Sequence, residues 1–173
     1  MFRNVFSGKS QYSPALIAIS AVMTALVCVT TILMMYPIPA TEGFFNIGDA
    51  MIIVTALTFG SAVGAIAGGI GSSLADFIGG FYVYVIPTLV IKGVEGYLVG
   101  WISSKNKEQK FQNTILAWFI GGLAMVSGYF IVQVFMYGFA AAIVEAPFNF
   151  VQMAVSGIVG IPLSQALKRR FIM

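Results

Sequence analysis

The sequence predicts an all-α integral membrane protein, a single-domain bundle of six transmembrane helices with both termini in the cytoplasm. Three observations support this fold class. The chain of 173 residues is 59% hydrophobic, with a mean hydropathy of +0.95. Only 9% of its residues are charged, whereas a soluble domain has about 25%, so the chain has too few polar groups to cover a water-facing surface. Uncharged runs long enough to cross about 30 Å of hydrocarbon also recur along the chain.

The helices follow from these runs. Helix 1 is predicted at roughly 13–36, and the segment PIPATEGFFNIGD after it is a loop because it combines two prolines, two glycines and mixed polarity. Residues 50–75 are uncharged, and Gly60 and Gly64 divide this stretch into two short helices. The remaining predicted bounds are 44–60 for helix 2, 62–79 for helix 3, 82–103 for helix 4, 113–137 for helix 5 and 146–167 for helix 6, with Pro147 in its first turn.

Basic residues support the division of 44–79 into two helices. Short cytoplasmic loops are enriched in Lys and Arg. Two short helices place an even number of spans between the first two basic clusters, so that both lie on the cytoplasmic side. Lys92 is then the one basic residue within the membrane, and every acidic residue except Glu108 lies in the membrane or at its outer side. The three clusters are Arg3 with Lys9, Lys105 with Lys107 and Lys110, and Lys168 with Arg169 and Arg170.

Two charged residues lie inside the predicted helix 4, in PTLVIKGVEG. Lys92 and Glu95 are three residues apart and share one face of the helix. A charge at the centre of a bilayer costs several kcal/mol, so both should face the bundle or a wet cavity. Lys92 either pairs with Asp76 or Glu95 in a structural network, or contacts a ligand; both interpretations remain open.

The segment EAPFNFVQ, which opens helix 6, suits a ligand site near the outer surface. Glu145, Asn149 and Gln152 share a face, and Phe148 and Phe150 alternate with them, as a flat aromatic ligand would favour. Aromatic residues at a helix end are also ordinary interfacial anchors.

The loop after helix 1 is long enough to fold over an outer cavity as a lid, although a plain connector is the alternative. Its polar and aromatic side chains are Glu42, Phe44, Phe45, Asn46 and Asp49. The candidate ligand-binding residues of the whole chain are Glu42, Phe45, Asn46, Asp49, Tyr84, Lys92, Glu95, Glu145, Asn149 and Gln152.

Small residues recur at helical spacing. AVMTA in helix 1 places Ala21 and Ala25 four residues apart, with Ala18 nearby. Small residues on one face let helices approach closely, either inside the bundle or against another membrane protein, and spacing does not separate these alternatives. The glycines with this pattern are Gly60, Gly64 and Gly68 in helix 3, and Gly93, Gly96 and Gly100 in helix 4.

The residues needed for most enzyme chemistry are missing. The chain has no histidine, no metal-ligand cluster, no serine elbow and no G-x-x-x-x-G-K-[ST] motif, so we expect neither an enzyme nor a bound cofactor or metal. Cys28 is the single cysteine, which excludes an internal disulfide. A transporter of this composition must take its energy from an ion gradient or from partner subunits.

The chain resembles the S components, or substrate-binding subunits, of energy-coupling factor (ECF) vitamin transporters. The resemblance rests on the six-helix layout, AVMTA, EAPFNFVQ, and the block FFNIGDAMIIVTALTFGSAVGAIAGGIGSSLADFIGG running into PTLVIKGVEG. The block is similar to the branch that includes riboflavin, pyridoxine and hydroxymethylpyrimidine carriers.

The resemblance implies a vitamin-binding cavity near the outer surface of a prokaryotic cell membrane, closed by the loop after helix 1. It also implies that helix 1 docks, through Ala18, Ala21 and Ala25, on a transmembrane coupling subunit driven by two cytoplasmic ATPases. Hydroxymethylpyrimidine or pyridoxine is the expected substrate, with riboflavin third. Two other hypotheses remain: a stand-alone, gradient-coupled carrier with Asp76, Lys92 and Glu95 as a proton relay, and a scaffold subunit without a ligand.

Overall fold

The computed structural model describes residues 14–38, 41–105 and 111–171. The predictions for Arg3, Lys9, Lys107, Glu108 and Lys110 lie outside the described residues. Within them the chain forms six α-helices and one short hairpin. The helices are α1 (Pro14–Leu33), α2 (Asp49–Phe59), α3 (Ser61–Gly79), α4 (Val85–Ser104), α5 (Phe111–Tyr137) and α6 (Phe139–Phe171), and the strands are β1 (Tyr36–Ile38) and β2 (Gly43–Phe45).

Five of these helices are long and apolar enough to cross a membrane, which confirms a helical membrane protein. The exception is α2, whose 11 residues extend only about 16 Å at 1.5 Å per residue. Most of its residues are buried inside the bundle. The count of six spanning helices and the cytoplasmic position of both termini therefore stay predictions.

The chain turns back into the bundle through a hairpin where helix 2 was predicted to begin. β1 and β2 pair antiparallel, with Tyr36 opposite Phe45, so residues 43–45 are strand and the predicted helix start at 44 is wrong. The backbone groups of this segment are paired across the hairpin instead of along a helix, and α2 begins only at Asp49.

The direction of α2 follows from its contacts with α3. Gly64 lies against Ala56, and Gly68 lies against Ile52, so the two helices are antiparallel. The first turn of α2 is therefore level with the middle of α3. The hairpin and α2 together return the chain from one end of the bundle to the other.

Glycines bring α3 and α4 into backbone contact. A Cβ atom on Gly68 would lie 2.7 Å from the Lys92 carbonyl oxygen, and one on Gly96 or Gly100 would overlap the backbone of Gly64 or Ser61. The glycine pattern of these two helices therefore serves packing within the bundle, which was one of the two alternatives for it.

Helix 6 begins at Phe139, not at 146, and the predicted loop before it is wrong. Gly138 alone separates α5 from α6, with φ of 85°, a left-handed conformation that glycine adopts without strain. Its N–H donates to the Val134 carbonyl, which ends α5, and its carbonyl accepts from Ala142 at the start of α6. Pro147 consequently lies inside α6.

The helix α4 runs antiparallel to α5, because Gly121 lies against Val99 and Gly128 against Ile91. The helix α6 also runs antiparallel to α5, because Gly122 lies against Met153 and Gly157 against Trp118. The helices α4 and α6 consequently end at the same end of the bundle. Lys105 and the run 168–170 are both at that end, which agrees with the predicted grouping of these two basic clusters.

A candidate ligand cavity beneath the hairpin

A buried ionic network joins α2 to α4. The Lys92 Nζ atom lies 2.5 Å from Asp49 Oδ1 and 3.3 Å from Glu95 Oε2. Lys92 and Asp49 are each 1% exposed, and Glu95 is 0% exposed. A buried charge needs an opposite charge and hydrogen bonds, and this lysine has both.

The predicted pairing of Lys92 with Glu95 is present, and the predicted pairing with Asp76 is wrong: Asp49 takes that position. Asp49 reaches Lys92 because α2 begins half-way along the bundle, at the level where Lys92 contacts Gly68. As the first residue of α2, the Asp49 carboxylate also lies at the positive end of the helix dipole.

Gln152 of α6 connects this network to the hairpin. Its Nε2 donates a 2.8 Å hydrogen bond to Asp49 Oδ2, and its Oε1 accepts one of 3.1 Å from the Asn46 backbone N–H. A second bond holds the hairpin turn, because the Tyr84 hydroxyl donates to the Thr41 carbonyl at 2.7 Å. The hairpin is thus fixed to α6 and to the short 3₁₀ helix Tyr82–Tyr84, which precedes α4.

Two tyrosine side chains, Tyr84 and Tyr129, pack beside this network and the hairpin. Tyr129 of α5 was missed: its ring centroid is 5.4 Å from Lys92 Nζ, a cation–π distance, and its hydroxyl is 3.0 Å from Thr88 Oγ1. Tyr84 stacks on Tyr137 at 6.3 Å. Tyrosine and threonine are ordinary residues of membrane helices, so their sequence positions carried no signal.

These elements surround a cavity of about 20 Å³, which has room for about one water molecule. Five of the predicted residues line it, together with five that were not predicted as ligand contacts. The predicted ones are Asn46, Tyr84, Glu145, Asn149 and Gln152, and the others are Gly43, Phe44, Asp76, Thr88 and Tyr129.

Several buried polar atoms around the cavity have no hydrogen-bond partner. They include Asp76 Oδ2, Glu145 Oε2 and Asn149 Nδ2, from side chains that are 1%, 3% and 6% exposed. The Gln133 side chain, which is 0% exposed, lies beside Glu145. A buried polar group left unpaired costs about 1–3 kcal/mol, so this concentration of such groups around one cavity is typical of a ligand site.

The remaining predicted residues lie elsewhere. Asp49, Lys92 and Glu95 form the network next to the cavity and do not line it. Glu42 is exposed at the hairpin turn, with φ of 53°, and Phe45 is half-buried on β2.

Phe148 and Phe150 are 42% and 52% exposed, so α6 turns them away from the cavity, and the expectation that they flank a ligand is wrong.

A second feature lies on the outside of the bundle. The predicted docking residues Ala18, Ala21 and Ala25 are all exposed on α1. Ala21 and Ala25 line an apolar groove of about 810 Å³ between α1 and α3. The opposite face of α1 carries Val27, which packs against Gly71 of α3.

Comparison with known proteins places this architecture in a family. A family described as "ECF-type riboflavin transporter, S component" matches residues 11–169. An uncharacterized protein of Pyrococcus woesei is 45% identical over 145 residues, covering 83% of this chain and 95% of that protein. The thiamine precursor transporter HmpT of Lactococcus lactis subsp. cremoris is 35% identical over 154 residues, covering 88% of this chain and 87% of that protein. The chain therefore belongs to the S components of ECF-type transporters.

Proposed function

We propose that this chain binds a vitamin or vitamin precursor, hydroxymethylpyrimidine or pyridoxine, in the cavity beneath the hairpin and presents it for import across a prokaryotic cell membrane. As an S component the chain is a transport subunit and not an enzyme. The observation that carries the proposal is the cavity beneath the hairpin, where Asp76, Glu145 and Asn149 hold unpaired buried polar atoms. The similarity to a thiamine precursor transporter supports a small heterocycle as the occupant.

We assign ligand contact to the predicted residues that line the cavity: Asn46, Tyr84, Glu145, Asn149 and Gln152. Asp49, Lys92 and Glu95 support them from behind, because Asp49 holds the Gln152 amide in place. We leave Glu42 and Phe45 out of the contact set, since neither side chain lines the cavity.

The direct test is to purify the full chain in detergent and to identify co-purifying small molecules by mass spectrometry. The stripped protein is then titrated with hydroxymethylpyrimidine, pyridoxine and riboflavin by calorimetry. Binding of one of the first two compounds supports the proposal. Riboflavin binding alone would replace it with the riboflavin alternative, which the family description favours. The absence of binding by all three compounds would overturn it.

The proposal includes a docking surface for a transmembrane coupling subunit on α1. Ala18, Ala21 and Ala25 face away from the bundle, and small side chains in a membrane helix permit close packing against a second helix. The sequence has no P-loop, so energy for import would come from two ATPases joined to the coupling subunit. Uptake into liposomes by this chain alone, in response to a pH gradient, would contradict this dependence on partners.

A further inference from the structure

A second apolar groove lies on the outside of the bundle, between α5 and α6. It measures about 330 Å³ and shares no lining residue with the cavity beneath the hairpin. Phe111, Ile115 and Trp118 of α5 form one wall. The other wall belongs to α6, where Ala154 and Gln165 mark the two ends of the groove along the helix. The groove is therefore separate from the proposed vitamin site.

The wall of the groove is built from small residues of α6 set against the Trp118 ring. Gly157 lies directly against this ring, because a Cβ atom there would be 2.5 Å from Trp118 Cε2. The indole N–H donates a 2.9 Å hydrogen bond to the Met153 carbonyl, which holds the ring in place. The polar group of this tryptophan is thus already bonded, and an occupant of the groove meets mainly hydrocarbon surface.

The dimensions of the groove suit a single hydrocarbon chain. From Ala154 to Gln165 it follows α6 for about 16 Å, at 1.5 Å per residue. One leaflet of a bilayer has about 15 Å of hydrocarbon, half of the full thickness of about 30 Å. The volume divided by this length gives a mean cross-section of about 20 Å², which is too narrow for a partner helix about 10 Å across.

The groove reaches the end of the bundle where α6 carries its basic residues. Gln165 comes one helical turn before Lys168 and Arg169, on the same side of α6. Lys168 is half-buried and Arg169 is exposed. The last two turns of α4 and α6 and the first two turns of α5 contain no acidic residue, so the described residues at this end carry positive charge only. Charged side chains at a helix end lie at the membrane surface, where lipid headgroups are.

We propose that the groove binds an anionic glycerophospholipid, with one acyl chain between α5 and α6 and the headgroup phosphate on Lys168 and Arg169. A guanidinium pairs with phosphate through two parallel hydrogen bonds, and basic pockets between membrane helices bind anionic headgroups. A zwitterionic lipid has the same chains but places a positive headgroup charge beside these two cations, so it binds more weakly. The lipid would hold α5 and α6 together at the end where the chain has no hairpin.

The first test uses native mass spectrometry of the unaltered full chain in detergent. Dioleoyl phosphatidylglycerol and dioleoyl phosphatidylcholine, which have identical acyl chains, are added at equal concentrations. Each basic residue near an anionic headgroup contributes about fivefold in affinity, so we expect at least about a tenfold preference for phosphatidylglycerol. Glycerol 3-phosphate, a phosphate without acyl chains, should not bind at these concentrations. Equal binding of the two lipids, or of glycerol 3-phosphate and phosphatidylglycerol, would overturn the inference.

The second test separates a built site from general surface attraction. Arg169→Gln should lower the affinity for phosphatidylglycerol about fivefold. Arg170→Gln is the matched control, because Arg170 is also exposed but lies about 100° further round α6, away from the groove. It should lower the affinity by less than about twofold. Equal losses in the two variants would show that only the surface charge matters and would overturn the proposed site.

The third test fills the groove. Ala154→Trp places an indole at its inner end and should weaken phosphatidylglycerol binding about tenfold or more. Ala140→Trp adds the same side chain at an exposed position of α6 outside the groove and should keep the affinity. Unchanged affinity in the Ala154 variant would overturn the inference. A dimer that Ala154→Trp abolishes, without any lipid preference, would instead assign the groove to a second copy of the chain. If a variant does not fold, the comparison of the two lipids on the unaltered chain decides.

Discussion

Lys92 of α4 forms a salt bridge with Asp49, the first residue of α2, and both side chains are 1% exposed. The pair fixes the start of the short helix at the level where Gly68 of α3 contacts the Lys92 carbonyl. Because α2 is too short to cross the membrane on its own, this ionic contact helps to determine how deep the returning chain reaches.

Replacement of Lys92 by Met should destabilise the protein. The variant would leave the Asp49 and Glu95 carboxylates buried without a cation, and removal of one partner from a buried pair costs about 3–5 kcal/mol. Chemical unfolding in detergent, followed by circular dichroism, measures this change. A Lys92→Met variant that unfolds and binds ligand like the wild type would exclude both a bracing and a ligand-binding role.

The control for this variant is Lys105→Met. Lys105 is exposed, and its Nζ lies 3.4 Å from the centroid of the Trp101 ring, so its loss should change stability by about 1 kcal/mol or less. In the double variant Lys92→Met, Asp49→Asn, one of the uncompensated charges is also removed, so it should recover part of the lost stability.

Gly96→Ala should disturb the contact of α3 with α4. Its new Cβ would overlap the Gly64 backbone, which cannot move aside as a flexible side chain does, so we expect a loss of about 1–3 kcal/mol. Gly93→Ala on the same helix is the matched control, because the nearest atom to its Cβ would be the Ala65 carbonyl oxygen at 3.7 Å. The measurement is thermal unfolding of both variants. Equal melting temperatures for Gly96→Ala and Gly93→Ala would contradict the packing of α3 on α4.

Gln152→Leu should loosen the hairpin. The Asn46 N–H and Asp49 Oδ2 would each lose a buried partner, at about 1–3 kcal/mol per group. Hydrogen exchange followed by mass spectrometry should show faster exchange of the peptide spanning 43–48, and ligand affinity should fall. Gln165→Leu, a half-buried glutamine further along α6, should leave the hairpin unchanged. Unaltered exchange in the Gln152 variant would show that other contacts fix the hairpin.

Ala25→Trp should separate uptake from ligand binding. The indole would fill the groove between α1 and α3 and keep a partner helix at a distance. Uptake in liposomes that contain the coupling subunit and ATPases should fall at least tenfold, while calorimetric affinity stays within about twofold. Ala140→Trp places the same side chain on an exposed position of α6 and should keep uptake. Loss of affinity with intact assembly would instead assign this face of α1 to the ligand site.

Much of the fold was predictable because hydrocarbon imposes long apolar runs, and the bounds of α1, α3, α4 and α5 agree with the prediction to within a few residues. The largest error, the predicted start of helix 6 at 146, has two local causes. Pro147 was taken as a helix start, although proline inside a membrane helix is tolerated when neighbouring groups satisfy the backbone. Gly138, directly after Tyr137, was the missed signal for the turn.

The site was predictable wherever a polar group stood out against an apolar helix. Glu145, Asn149 and Gln152 were found this way because they share a helix face, and the structure brings all three to the cavity. The salt-bridge partner of Lys92 could not be predicted from the sequence. The depth of Asp49 in the bundle depends on the hairpin and on the antiparallel contact of α2 with α3. Spacing along one helix gives no information about either.

The size of the cavity has a kinetic consequence. Pockets for small ligands measure about 300–1,000 Å³, far above the roughly 20 Å³ found here, so binding of the proposed ligand would require the hairpin to move. That displacement breaks the bonds from Asn46 to Gln152 and from Tyr84 to Thr41. Under the proposed function, association would then proceed well below the diffusion limit. The same two bonds, reformed over the occupied site, delay escape, so the residence time of the ligand depends on the opening rate of the hairpin.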